Sequence, residues 1–200
     1  MIVQIRLATE ADAAQIQAIY APFCAADSAV SFEIVAPDVA EMSRRIARTL
    51  ERYPWLVCDH GGEILGYAYA GPHSDRAGYL WSVSTAIYIG PGYRRAGVGR
   101  ALYTALLGVL RVQRFASAYA GTTLPNPASV GLHLAMGFEP VGTYRDVGYL
   151  NQTWLDTAWW QVSLCGRMGD PQPPLWVGSV QGTPDWNEAI NAGLACLRLP

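Results

Sequence analysis

The chain contains no lysine; all 14 of its basic residues are arginine. That absence removes Schiff-base chemistry on lysine, pyridoxal-phosphate attachment and a phosphate loop ending in Gly-Lys-Ser/Thr. Charge is scarce as well. Only 15% of residues are charged and the net charge is −2, a balance that argues against general nucleic-acid binding. The four cysteines, Cys24, Cys58, Cys165 and Cys196, are scattered, with no C-x-x-C pair and no histidine at ligand spacing. Neither a metal site nor a disulfide framework is expected, and small buried thiols in a reducing compartment are. No stretch approaches the roughly 18 uninterrupted apolar residues of a membrane-spanning helix. The start, Met1-Ile2-Val3-Gln4-Ile5-Arg6, lacks a basic region, a long apolar run and a cleavage site. It reads as a first strand rather than a signal peptide, and the expected location is the cytoplasm.

What is present suits a folded domain: 200 residues, of which 51% are apolar, bury a core without staples. Val3 to Leu7 alternates like a strand, and Thr9-Glu10-Ala11-Asp12 opens a helix carrying Ile16, Ile19, Tyr20 and Phe23 on one face. A β-prone piece, Ala29 to Val35, precedes a second helix to Arg52. There Val39, Met42, Ile46 and Leu50 form the buried stripe, and Arg44, Arg45 and Arg48 face water. Trp55 to Asp59 and Glu63 to Ala70 make a hairpin around His60-Gly61-Gly62. The loop Gly71 to Gly78 leads into a strand from Tyr79 to Ile89, then a helix from Gly97 to Arg111. A strand at Phe115–Gly121, a helix at Asn126–Met136, and strands at Glu139–Val147 and Thr153–Leu164 follow. The order is β-α-α-β-β-β-α-β-α-β-β, a mixed α/β layer fold. From Cys165 the composition shifts to Pro and Gly, with a short helix from Pro184 to Leu197. Residues 1–164 read as one domain, and 165–200 as an extension outside its core that docks on its own subunit or a partner.

The run Ile87-Tyr88-Ile89-Gly90-Pro91-Gly92-Tyr93-Arg94-Arg95-Ala96-Gly97-Val98-Gly99-Arg100 carries a strand through a glycine-rich bend into a helix. The first amides of such a helix point unpaired into the bend, and the peptide dipoles add positive potential there. Together they make a diphosphate nest. Gly97 and Gly99 keep side chains clear, and Arg94, Arg95 and Arg100 screen charge. A plain glycine-rich turn gives the same spacing. A dinucleotide fold fits less well, because Leu102 stands where G-x-G-x-x-G needs its third glycine.

Arg94-x-x-Gly97-x-Gly99 after a strand resembles the acetyl-CoA signature of the GNAT N-acetyltransferases. Asn126-Pro127-Ala128-Ser129 followed by Gly137-Phe138 is similar to their N-x-x-S…G-F helix. Glu51 to Val57, Tyr67 to Pro72 and Leu124-Pro125-Asn126 look like the phosphinothricin and methionine-sulfoximine acetyltransferases, which acetylate the α-amine of amino-acid analogues. The resemblance covers residues 2–164. It implies a mixed, mostly antiparallel sheet of about seven strands flanked by helices. It also implies acetyl-CoA as cosubstrate, direct attack by the amine in a ternary complex, and a homodimer. The pantetheine arm would lie along Ile87-Tyr88-Ile89, whose outer amides polarise the thioester carbonyl. Arg94, Arg95, Ala96, Gly97, Val98, Gly99 and Arg100 would cradle the pyrophosphate, and Asn126 and Ser129 would touch the arm.

His133 stands where many relatives carry a tyrosine that protonates the sulfur, and an imidazole can give or take that proton. Ser84 occupies the place of the family's glutamate base, and a serine can only position a water there. His73, Asp75 and His133, with Asp156 behind them, are the alternative proton acceptors. Phe32, Tyr69, Gly71, His73, Trp81 and Thr85 are expected to line the acceptor pocket, with Arg76 pairing an acidic group of the substrate. Two other readings remain beside a small-molecule acetyltransferase. One is a non-catalytic acyl-CoA sensor, suggested by the lost base, and the other is a peptide N-terminal acetyltransferase.

Overall fold

The structure, a computed structural model, describes residues 2–25, 28, 30–166 and 169–199. Met1, Ala29 and Met168 of the predicted segments lie outside these. The strands are β1 (Val3–Leu7), β2 (Trp55–His60), β3 (Glu63–Pro72), β4 (Ser82–Ile89), β5 (Ser117–Thr123), β6 (Glu139–Leu150) and β7 (Thr153–Ser163). The helices are α1 (Ala13–Tyr20), α2 (Val39–Leu50), α3 (Val98–Val112), α4 (Pro127–Ala135), α5 (Val177–Val180) and α6 (Pro184–Leu194). One seven-stranded sheet runs β1-β2-β3-β4-β5-β7-β6, antiparallel throughout except where β4 and β5 lie parallel.

The pleat sorts side chains to two cores. Leu56, Cys58, Leu65, Ala68, Ala70 and Val83 meet α3, while Trp55, Val57, Ile64 and Tyr67 meet α1 and α2. Helix α3 is the centre of the larger core. Leu102, Leu106 and Leu110 are wholly buried, each stabilising the fold by roughly 1.5–3 kcal/mol. Arg6 ties β1, β2 and the turn before α1 together by donating to Asp12 at 2.8 Å and to Asp59 at 2.9 Å. Asp38 caps α2 by accepting from the Glu41 amide at 2.7 Å.

Four local expectations change. Residues 30–35 form no strand, because the segment is held by side-chain contacts rather than a ladder: the Tyr20 hydroxyl lies 2.7 Å from Ser31 Oγ, and Ile34 and Val35 stay exposed. Strand β4 begins at Ser82 rather than Tyr79, since Ala77–Tyr79 closes a 3-10 turn. Val39 sits on the first turn of α2 before the helix meets the sheet, and is exposed. Arg45 turns inward to Glu33 at 2.7 Å and Glu41 at 3.1 Å rather than to water.

The tail is not outside the core. Val177, Val180, Trp186 and Ala189 are buried in the same cluster as α3. Gln113 fastens it: its Nε2 donates to Leu175 O at 2.8 Å and to Arg52 O at 3.0 Å, and its own carbonyl accepts from the Leu175 amide. Helix α6, capped by Thr183, lies along α3 with small residues at the contact. A Cβ on Gly193 would come within 2.6 Å of Ala101 O and 2.8 Å of Ala105 Cβ, so only glycine permits this approach. Past α6 the chain returns to the start of α3, where Arg198 N donates to Ala96 O at 3.0 Å. The reason for the difference is composition. Proline and glycine exclude regular structure between 169 and 176, yet the apolar residues beyond still find the exposed back of α3. Among the described residues no helix is long and apolar enough to cross a membrane.

Gly193→Val should destabilise the protein by about 1–3 kcal/mol through overpacking at the α3–α6 contact. The measurement is the urea midpoint, with the wild-type slope retained.

Candidate active site

Strands β4 and β5 pair over only three residues, Ser82↔Ser117, Val83↔Ala118 and Ser84↔Tyr119. Beyond them β4 continues to Ile89 against β3 alone, while β5 continues to Thr123 against β7. The sheet therefore opens into a slot from Thr85 to Ile89, and the β4 backbone groups on that side have no ladder partner. Thr85 sits at the fork, its hydroxyl donating to Tyr119 O at 3.1 Å. It is buried and faces α3, so it pins the fork rather than lining the acceptor side, as the sequence reading had it.

The slot leads to the start of α3. No side chain caps this helix, and Ala101 is the first residue whose amide is held in the helix, by Gly97 O at 2.9 Å. Arg95 and Gly97 both adopt left-handed backbone, with φ of 66° and 79°, which curls the loop before the helix. Among the described residues Arg94, Arg95 and Arg100 are exposed and form no ion pair. Uncapped amides, an aligned dipole and three free guanidinium groups suit a phosphate-bearing ligand. Gly97 has a reason beyond the expected one. A Cβ there would collide with Cys196 O, so this glycine makes room for the tail.

The opposite face of the sheet carries a hollow. Pleat parity and register set Gly71, Ser84, Ala86 and Gly121 on one floor. Gly71 has open space over it, and Gly121 is exposed although its strand is central. Tyr69, His73, Tyr119 and Trp159 stand around this floor. The His73 ring stacks on Tyr119 at 4.3 Å, presents its edge to Trp159 at 6.0 Å, and brings Nδ1 to 3.1 Å from Ser84 Oγ. The segment after α1 approaches from above. Val30 O accepts from the Thr123 hydroxyl at 3.4 Å, and the Phe32 ring packs directly over Gly148 of β6. A cavity of about 290 Å³ lies to one side, between α2 and Trp55, Tyr67 and Tyr69, with Arg45 and Arg48 at its rim. It shares Tyr69 with the hollow.

Asn126, Ser129 and His133 come together on α4 as their spacing predicts. Asn126 Oδ1 caps the helix by accepting from the Ser129 amide at 3.1 Å. His133 Nδ1 is 2.8 Å from Ser129 O; a carbonyl only accepts, so Nδ1 carries the proton and Nε2 accepts from the Tyr103 hydroxyl at 3.0 Å. Tyr103 was not singled out from the sequence, because a helical tyrosine among leucines looks like packing; its hydroxyl lies 3.5 Å from Thr85 Oγ1. Its wholly buried phenol is held above its ordinary range by desolvation. Ser129, His133 and Tyr103 thus join α4 to α3 behind the slot, and Tyr103 lies against Thr85 of β4. Both His133 nitrogens are engaged, and burial holds its pKa down, opposed by the bond to Ser129.

One predicted pocket residue falls elsewhere. Trp81 donates its indole N–H to Gln172 O at 2.9 Å, so it anchors the tail. Arg76 is exposed on the loop before β4, with no ion pair among the described residues. Asp156 is taken by Arg145 at 3.2 Å and by the Asp146 amide at 2.9 Å, away from the fork, so it is no proton acceptor for the slot. Asp75 is exposed, and no hydrogen bond ties its side chain to this cluster.

Residues 5–159 match the family described as acetyltransferase (GNAT) domain. The chain is 39% identical to a phosphinothricin N-acetyltransferase of Streptomyces viridochromogenes, over 80% of this chain and 86% of that one. It is 30% identical to an L-methionine sulfoximine/L-methionine sulfone acetyltransferase of Salmonella typhimurium, over 80% and 94%. Among solved structures it resembles a phosphinothricin acetyltransferase from Sinorhizobium meliloti in complex with acetyl-CoA. The TM-score is 0.79 and the identity 32%, covering 92% of this chain and 97% of that one.

Burial sets the sign of a pH effect. The folded His133 imidazole binds a proton less readily than the unfolded one, whose pKa is near 6.5. Its neutral form supports the fold fully above that value and the support is lost as pH falls below it. Asp12, held low chiefly by Arg6, and Asp59, held low despite its burial by the Gly62 amide and Arg6, give way only below the ordinary 3.8. Between pH 7 and 5 the wild-type urea midpoint should therefore fall more steeply than that of His133→Gln.

Proposed function

This chain belongs to the GNAT acetyltransferase family, and from that premise we propose how its slot and hollow are used. It is an acetyl-CoA-dependent N-acetyltransferase acting on the amine of a small amino-acid-like compound. The single observation that carries this use is the fork at Ser84 and Thr85, which joins an uncapped helix start on one side to a glycine-floored hollow on the other. Acetyl-CoA, when bound, supplies the activated acetyl thioester.

The residues present fit that group. The slot-facing backbone of Ile87 and Ile89, on either side of Tyr88 whose own amide and carbonyl face β3, offers the amides and carbonyls an extended pantetheine arm needs. The amides of Gly97 to Arg100, with the side chains of Arg94, Arg95 and Arg100, suit its pyrophosphate, while the Ala96 amide is turned back to Tyr93 O. Asn126 and Ser129 hold the α4 wall beside the arm. The acceptor takes the hollow: Gly71 and Ser84 form its floor, Tyr69 and His73 its wall, and Phe32 its roof. Arg76 remains our choice for an acidic group on the acceptor. His133 acts through Tyr103 and Thr85 on the geometry of the fork, because a neutral ring with both nitrogens engaged is a poor acid.

Residues 1–164 are assigned both binding surfaces, and 165–200 the bracing of α3. We place the protein in the cytoplasm, a choice supported by four free cysteines. We also take it to be a homodimer. Edge strand β6 is exposed along almost its whole length, with Val141, Tyr144, Val147 and Tyr149 open and Trp154 beside them, and a bare edge of this kind is normally covered. The sensor and peptide readings are not favoured, since relatives spanning four-fifths of the chain are named for amino-acid analogues.

Thiol release from acetyl-CoA against amino acids, sulfoximine and phosphinate analogues, polyamines and peptides should single out one small amino acid or analogue. In the same assay Arg95→Ala should raise KM for acetyl-CoA about tenfold, equivalent to roughly 1.4 kcal/mol. No release with any amine would refute the enzymatic use. Light scattering should report the mass of two chains.

A further inference from the structure

We propose that His73 and Ser84 act as a proton-accepting pair: the serine touches the acceptor amine and the imidazole takes the proton through it. This rests on the reading of the hollow as the acceptor site. His73 is placed for the task by three independent contacts. Its backbone amide is bound to Ser82 O at 3.4 Å, which continues the β3–β4 ladder one step past Pro72. Its ring lies flat on Tyr119, the residue that pairs with Ser84 in the last step of the β4–β5 ladder. Its Nδ1 then meets Ser84 Oγ at 3.1 Å. The ring is therefore fixed over the point where the two strands separate, on the face opposite Thr85. The titratable groups facing it from the packed elements are the hydroxyls of Tyr79 and Tyr119, and Trp159 closes the third side.

Ser84 is half-buried, and Gly71 beside it leaves the space above open. A serine hydroxyl alone is too weak a base to deprotonate an ammonium group. A serine whose own proton can pass to an adjacent imidazole does not have that defect. The steps balance as follows. The ammonium group gives one proton to Ser84 Oγ as Ser84 gives its proton to His73 Nδ1, leaving a neutral amine. The amine nitrogen bonds to the acetyl carbon, the carbon–sulfur bond breaks, and the electron pair leaves with sulfur. The nitrogen then loses a second proton, which neutralises the thiolate. The products are the amide and free CoA thiol, with one proton released from His73 to solvent.

The test uses the full chain at saturating acetyl-CoA and the best amine of the panel. His73→Gln, which keeps the ring's approximate volume, should lower kcat at least 100-fold, within the usual span for a lost general base. KM for acetyl-CoA should stay within about threefold, because the cofactor loop lies on the other side of the fork. Adding Ser84→Glu to His73→Gln puts a carboxylate on the same floor and should restore kcat at least tenfold, a gain that a packing role for His73 cannot produce. A folded His73→Gln protein with kcat near wild type, or no gain from Ser84→Glu, would overturn the pair. A wild-type chain inactive on every amine would overturn the acetyltransferase reading itself, so the two failures are told apart.

Discussion

Everything at the site depends on how early β4 and β5 stop pairing. Parallel strands normally continue their ladder as far as both remain extended, and here they share three steps before separating. Two strands that part in mid-sheet leave backbone donors and acceptors that must find other partners. The fold limits the damage to the facing edges of β4 and β5, because β3 and β7 still satisfy the outer edges. Thr85 closes the fork with a side-chain bond to the Tyr119 carbonyl, and Tyr103, bonded to His133, packs behind it. The vacant edge is then a property of the scaffold, available to a ligand whose own amides run parallel to it.

The two faces of this fork are chemically distinct. Towards α3 lie buried apolar residues, one internal polar chain and a positively charged helix start. Towards α1 and α2 lie stacked aromatic rings around small floor residues, with Trp55, Tyr67 and Tyr69 forming a continuous stack and Tyr88 meeting Tyr20 edge-on. Burial raises the phenols of Tyr67, Tyr69 and Tyr88, so these three rings stay neutral. A thioester and an amine can thus approach the same opening from environments suited to each, and positioning replaces much of the chemistry a protein group would otherwise supply.

Much of this was legible in the residues. The helix periodicity of Val98 to Val112, the glycine-rich bend before it and the cap at Asn126 are local features, and local features survive into the fold. Errors came from relations that cross the chain. Thr85 was placed in the acceptor pocket beside Ser84, although neighbours on a strand point to opposite faces. Trp81 looked like a pocket wall because nothing local reveals that its indole is claimed by Gln172. That residues 196–198 also require a glycine at 97 is a relation no local motif carries. The meeting of His73 with Ser84 needs the β3–β4 register, which no motif encodes.

The return of the tail to Gly97 has a further consequence for synthesis. The sheet, α3 and α4 are all encoded by residue 163, yet the turn ahead of α3 finds its last packing partners about a hundred positions downstream. A nascent chain emerging from the ribosome can close its sheet while this turn still lacks them. Docking of α6 along α3 comes next, and only then does Arg198 reach Ala96. The turn ahead of α3 is consequently the last part of the site to gain its packing partners.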